Sequence, residues 1–144
     1  MTGLNITLEG GVALKVALED LADDIQQAVS NVVMETAAGL EAGVKIRMQQ
    51  GPTTGRTYRR RSVLHTASAP GEPPSPDTGA LLGSVYHEKI SKFTAVAGSR
   101  MAYAAFLEFG TFKMAARPAW RPEVEDARPD FYRDMEAALA REIR

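Results

Sequence analysis

"VYHEKISKFTAVAGS", residues 85–99, is the stretch that decides the fold. Val85 to Lys92 and Phe93 to Ser99 read as two strands of an antiparallel pair. In "TAVAGS" the β-branched side chains fall on one side and the small ones on the other, as on a half-buried strand. Working outward, Leu4-Asn-Ile-Thr-Leu8 alternates apolar and polar and ends at Gly10-Gly11, which predicts one more short strand. From Val12 to about Gln50 the period changes. Leu14, Leu18, Leu21, Ile25, Val29, Val32, Thr36, Leu40 and Val44 recur in steps of three and four, the apolar stripe of a long amphipathic helix. Asp23-Asp24 can cap a second helix there, giving a short helix followed by a long one. Gly39 and Gly43, four apart, leave room for a close neighbour. Near the other end, Pro129 suits a first helical position, and Phe131, Met135, Ala138 and Leu139 stripe a helix reaching Ile143. The expected class is α+β: one domain over residues 1–144, its long N-terminal helix and C-terminal helix packed on a short antiparallel sheet.

Between helix and strands lies "GPTTGRTYRRRSVLHTASAPGEPPSPDTG", residues 51–79, with five of the eight prolines and four glycines. Proline feeds neither a helix interior nor a central strand, so Gly51-Pro52 ends the helix. The rest reads as an extended basic arm or long loop with room for a short hairpin around Thr57–His65. Asp77 to Ser84 reads as a short capped helix. Met101 to Phe109 reads as another, closed by Gly110, the residue best able to take a left-handed cap. Arg117 to Pro122 is expected to be extended or turn-like, because each proline restrains the residue before it.

The chain has 144 residues, no cysteine and a net charge of −1. Disulfides, thiolate metal sites and cysteine nucleophiles are thereby excluded. No apolar run is long enough to span a bilayer, and the N-terminus lacks the basic start and apolar stretch of a signal peptide, so synthesis in the cytoplasm is expected. The small net charge hides a gradient: residues 1–50 carry −4, residues 51–100 carry +4 and the remainder −1.

Little in the sequence points to catalysis. His65 and His87 have no histidine partner at metal-ligand spacing. No serine sits in a nucleophile elbow, and no glycine loop is built to cradle phosphate. Glu123, Glu125, Asp126 and Asp130 have the composition of a divalent-ion site, yet Arg121, Arg128 and Arg133 beside them explain the cluster by charge pairing on a solvated helix. No cofactor, metal or small-molecule substrate is expected. Arg56, Tyr58, Arg59, Arg60 and Arg61 are more informative. Four guanidiniums around a tyrosine suit either a phosphate backbone or an acidic protein surface.

Tyr103 to Trp120, "YAAFLEFGTFKMAARPAW", holds five of the ten aromatics. With Pro122 it resembles the hallmark of the HK97-type phage tail-component family (gene product ten). The matching positions are Tyr103-Ala104, Glu108-Phe109-Gly110-Thr111, Ala116-Arg117-Pro118 and Pro122. A second family-like element is Pro76-Asp77-Thr78-Gly79, continued by Leu81, Leu82 and Ser84. The resemblance implies a virion structural protein at the head–tail joint of a long-tailed phage, prophage or gene transfer agent. Such a protein forms a homo-oligomeric ring, a hexamer or dodecamer, around the DNA channel. Its neighbours would be neck, portal-adaptor or tail-tube proteins. Tail terminator and head-closure roles are the near alternatives, and a nucleic-acid-binding module using Arg59 to Arg61 is a remoter one. Within the stretch, Tyr103, Phe106 and Leu107 are expected to pack inward, and Glu108 is expected to pair with Arg117. Phe112, Met114 and Trp120 are candidate subunit contacts, and the arm from Arg56 to Arg61 a candidate DNA-channel or partner contact.

Overall fold

A computed structural model describes residues 3–9 and 23–143. The elements run β1 (Asn5–Glu9), α1 (Asp23–Gln50), β2 (Thr57–Arg60), β3 (Val63–Thr66), α2 (Ala80–Ser84), β4 (Val85–Ser91), β5 (Thr94–Ser99), α3 (Ala104–Phe109) and α4 (Trp120–Glu142). The architecture is α+β, with two long helices on a small antiparallel sheet. The helix expected upstream of Asp23, with Leu14, Leu18 and Leu21, lies outside the described residues.

The antiparallel pair at residues 85–99 forms as expected and β1 joins it, so the sheet order is β1-β5-β4. Asn5 faces Gly98 in β1–β5 and Val85 faces Ser99 in β4–β5, with a register irregularity between Lys89 and Ser91. On the central strand Ala95, Ala97 and Ser99 are buried while Thr94 and Val96 are half-buried. Small residues on the inner face let a helix lie close to the sheet, the usual one-sided cover of an antiparallel sheet.

That helix is α1. Ile25, Val29, Val33 and Ala37 pack with Phe93, Ala95, Met135 and Ala138 in one cluster. Further along, Leu40, Val44 and Met48 meet Leu4, Val85, Ala97, Ala104 and Trp120 in a second. Thr36 also lies on the stripe, and its hydroxyl donates to the Val32 carbonyl at 2.8 Å. The two glycines differ. A Cβ at Gly39 would meet nothing, whereas one at Gly43 would collide with the Glu123 carboxylate of α4. Gly43 is thus the close approach, and Arg47 one turn on pairs with both Glu123 and Asp126.

α4 carries the expected buried stripe, with Met135 and Ala138 in the core and Phe131 and Leu139 packed against it. Its start is a correction. The helix begins at Trp120 rather than Pro129, and Pro129 lies inside it. Trp120 to Pro122, expected to be extended or turn-like, is its first helical turn. Pro122 falls where backbone N–H groups have no helical partner, so its missing donor removes nothing. Pro129 removes one helical hydrogen bond, but on an exposed face where water can solvate the freed carbonyl.

Candidate interaction surface

α3 inverts the polarity expected of a short surface helix. Ala104 and Glu108, four apart, face the interior, and Glu108 is only 4% exposed. Tyr103, Phe106 and Phe109 step by three around the outside and are exposed. Tyr103 and Phe106 therefore do not pack inward as expected; Leu107 is half-buried. The reason is the acid. Glu108 accepts hydrogen bonds from the backbone N–H groups of Ala119 (2.8 Å), Trp120 (3.0 Å) and Arg121 (2.7 Å). These are donors that the first turn of α4 leaves unpaired, and the helix dipole adds to the attraction. A carboxylate can be buried there because three donors replace its water. Holding it in place turns the aromatic side of α3 to solvent.

Glu108 consequently does not pair with Arg117. Arg117 instead donates from its backbone N–H to the Leu107 carbonyl at 2.6 Å and from Nε to the Ser68 carbonyl at 3.2 Å. It fastens the 51–79 arm to the loop before α4, helped by a bond from Gly71 N–H to the Ala116 carbonyl.

Gly110 ends α3 at φ 75° and ψ 179°, a region open to glycine almost alone, though not the left-handed cap expected. A Cβ there would lie 2.8 Å from the Met114 carbonyl oxygen. Thr111 and Met114 then exchange two backbone hydrogen bonds, which pushes Phe112 and Lys113 to the tip of a tight turn. Phe112 is 94% exposed, with the Lys113 ammonium 5.1 Å from its ring centre. Met114 and Pro118 are half-buried. Of the three candidate contacts, Phe112 is displayed and Trp120 is not: its indole is 2% exposed in the second core cluster.

The arm is ordered. Thr57–Arg60 and Val63–Thr66 pair as a hairpin, with Tyr58 opposite His65 and their rings edge-on at 5.3 Å. At its base, the Glu72 carboxylate accepts from the Thr54 hydroxyl, the Thr54 N–H (3.0 Å) and the Ala69 N–H (2.7 Å). Those bonds hold Glu72 below the usual carboxylate range. Asp77 pairs with Arg60 rather than capping α2, whose N-cap is Gly79, with Thr78 Oγ1 accepting from Ala80 N–H at 3.3 Å. Among the described residues no carboxylate pairs with Arg56, Arg59 or Arg61.

Between the hairpin, α2 and α3 lies an open cleft of about 470 Å³, lined by Tyr58, His65, Asp77, Leu81, Tyr103 and Arg117 among others. The two motifs singled out in sequence thus meet across one cleft. Of the residues following Asp77-Thr78-Gly79, Ser84 is buried and its hydroxyl lies 2.7 Å from that of Ser99, a bond that joins α2 to β5.

The residues that sequence reasoning missed are mostly pairings. His87 binds Glu41 of α1, and Glu123 and Asp126 bind Arg47 across the helix pair rather than arginines on their own helix. Asp130 does pair locally, with Arg133. Among the described residues no group of three histidines or acids is placed to hold a metal ion, and no helix is long and apolar enough to cross a membrane. No protein-family model matches the chain, and no curated protein or solved structure matches it either.

Proposed function

We propose that the chain is a structural virion protein of the head–tail joint of a long-tailed phage, prophage or gene transfer agent. In this reading it forms a homo-oligomeric ring that completes the tail end or joins tail to head around the DNA channel. The observation that carries the reading is the displayed aromatic ridge of Tyr103, Phe106, Phe109 and Phe112. Those side chains fall within the stretch that resembles the tail-component hallmark. Exposed aromatics gathered on one side are characteristic of surfaces that another protein covers. The buried acid of the same motif supports this: Glu108 fixes α3 so that the ridge faces outward, and Gly110 lets the chain turn to present Phe112.

The test is oligomeric state. Native mass spectrometry and negative-stain microscopy are expected to show closed oligomers of one size. Phe106→Asp with Phe112→Asp is expected to weaken self-association by about thirtyfold, the equivalent of about 2 kcal/mol, in the range of an interface hot spot. Because both side chains are exposed, the melting temperature should stay within about 2 °C of the parent. Unchanged oligomers in the double variant would contradict the assignment of the ridge to the interface.

A further inference from the structure

The β2–β3 hairpin carries more exposed chemistry than its fold requires. A two-stranded hairpin alone is marginally stable and needs a face to pack on. Here Val63 and Leu64 are each 65% exposed, and Tyr58 is exposed as well. Among the described residues no carboxylate pairs with Arg56, Arg59 or Arg61. Arg61 occupies the first position of the two-residue turn Arg61-Ser62 at φ 53°, the one non-glycine residue at positive φ among those described. Glycine would sit there without strain, so a costlier arginine at the tip marks a contact rather than a turn requirement.

Elsewhere, α1 and α4 border a groove of about 320 Å³. Its floor includes Val32, Leu40 and Phe131, and its rim carries Glu35, Glu123, Asp126, Asp130 and Asp134. Among the described residues only two guanidiniums, those of Arg47 and Arg133, pair with these five carboxylates. Gly39 opens the rim, since a side chain there would meet nothing. The cleft beside the hairpin shares no lining residue with this groove. Leu40 lies ten residues before the end of α1, about 15 Å along the helix from where the arm departs.

We infer that the hairpin of one copy docks in the α1–α4 groove of the next. Val63 and Leu64 cover the apolar floor, and Arg56, Arg59 and Arg61 meet the acidic rim. The proposal rests on the homo-oligomeric reading given above and supplies its second contact. The surplus charges are opposite in sign, the hairpin has exposed apolar side chains to match the floor, and its four-residue strands extend about 13 Å. Two different patches in contact make a heterologous head-to-tail interface, which closes into a ring when the rotation allows. Arginine forks suit carboxylate partners in such an interface.

The absence of native cysteine permits a clean test. Full-length Ser62→Cys and Gly39→Cys chains are mixed under mild oxidation, and disulfide-linked dimers are measured on non-reducing gels. The mixture is expected to cross-link at least tenfold more than either variant alone. Added salt should suppress the yield, because the attraction is screened. Adding Arg59→Glu and Arg61→Glu to the hairpin chain should cut it by about tenfold. Combining that chain with a groove chain carrying Asp130→Arg and Asp134→Arg should restore it, which unfolding of either variant could not mimic. No excess cross-linking in a wild type that forms oligomers would overturn the docking and leave the ring reading standing. Excess cross-linking in a protein that forms only open chains would support the docking and overturn the ring. Salt-sensitive duplex DNA binding lost on Arg59→Glu and Arg61→Glu, without cross-linking, would overturn the docking in favour of nucleic acid.

Discussion

Glu108→Ala is expected to destabilise the chain by about 3 kcal/mol, more than a surface acid can account for. The variant removes the acceptor for three backbone N–H groups at the start of α4 and leaves them in a buried, dipole-positive site. It also leaves a void beside Ala104 and Ala119, both of which are buried. Glu108→Gln should lose less, about half as much, because one oxygen still accepts while the amide N–H₂ faces donors. Thermal unfolding checks both, and a drop of about 5–10 °C is expected for the alanine variant. Hydrogen exchange should show early protection loss at Ala119, Trp120 and Arg121. A change within about 0.5 kcal/mol would mean that the cap is not what holds α4 in place.

Trp120→Ala is expected to cost about 3–5 kcal/mol, the largest effect of any single truncation in the Tyr103–Trp120 stretch. Its indole fills the space between Leu4, Val44, Ala97 and Val124 where α1, the sheet and α4 converge. Removing it leaves a cavity that helices anchored elsewhere by Arg47 and Glu108 cannot collapse to fill. Trp120→Phe should be much milder. The indole Nε1 makes no hydrogen bond among the described residues, so phenylalanine forfeits packing but no polar partner. Urea unfolding separates these outcomes, with the midpoint shifting at constant slope. A near-wild-type Trp120→Ala midpoint would return this residue to the contact surface where its sequence setting had placed it.

The sheet and the two long helices were legible because burial writes a period into the sequence. Ala95 and Ala97 against Val96, or Ile25 to Val44 in steps of three and four, can face a core in only one register. In the aperiodic arm the sequence left room for a hairpin around Thr57–His65, and one forms there. The failures share one cause. Hydropathy places aromatics inside and acids outside, and α3 does the opposite because an unpaired helix end needs an anion more than the core needs Phe106. No local pattern announces that Glu108 will meet residues eleven to thirteen positions later. Pro129 misled for a related reason. The proline preference for helix starts is real, but Trp120 to Pro122 already had a cap supplied from elsewhere. Arg47 with Glu123 and His87 with Glu41 are pairings across elements, and single-sequence spacing carries no signal for them. The cleft joining Asp77 to Tyr103 and Arg117 was likewise invisible until the arm was seen to fold back on Ala116.

A head–tail joining role makes one demand that neither stability nor self-association tests. On the proposed reading, the gene is deleted from its phage or gene transfer agent, and the lysate is examined by electron microscopy. The account predicts filled heads and separate tails that fail to join, or tails with aberrant upper ends, restored by the wild-type gene in trans but not by the Phe106→Asp and Phe112→Asp variant. Normal numbers of intact, infectious particles would contradict it.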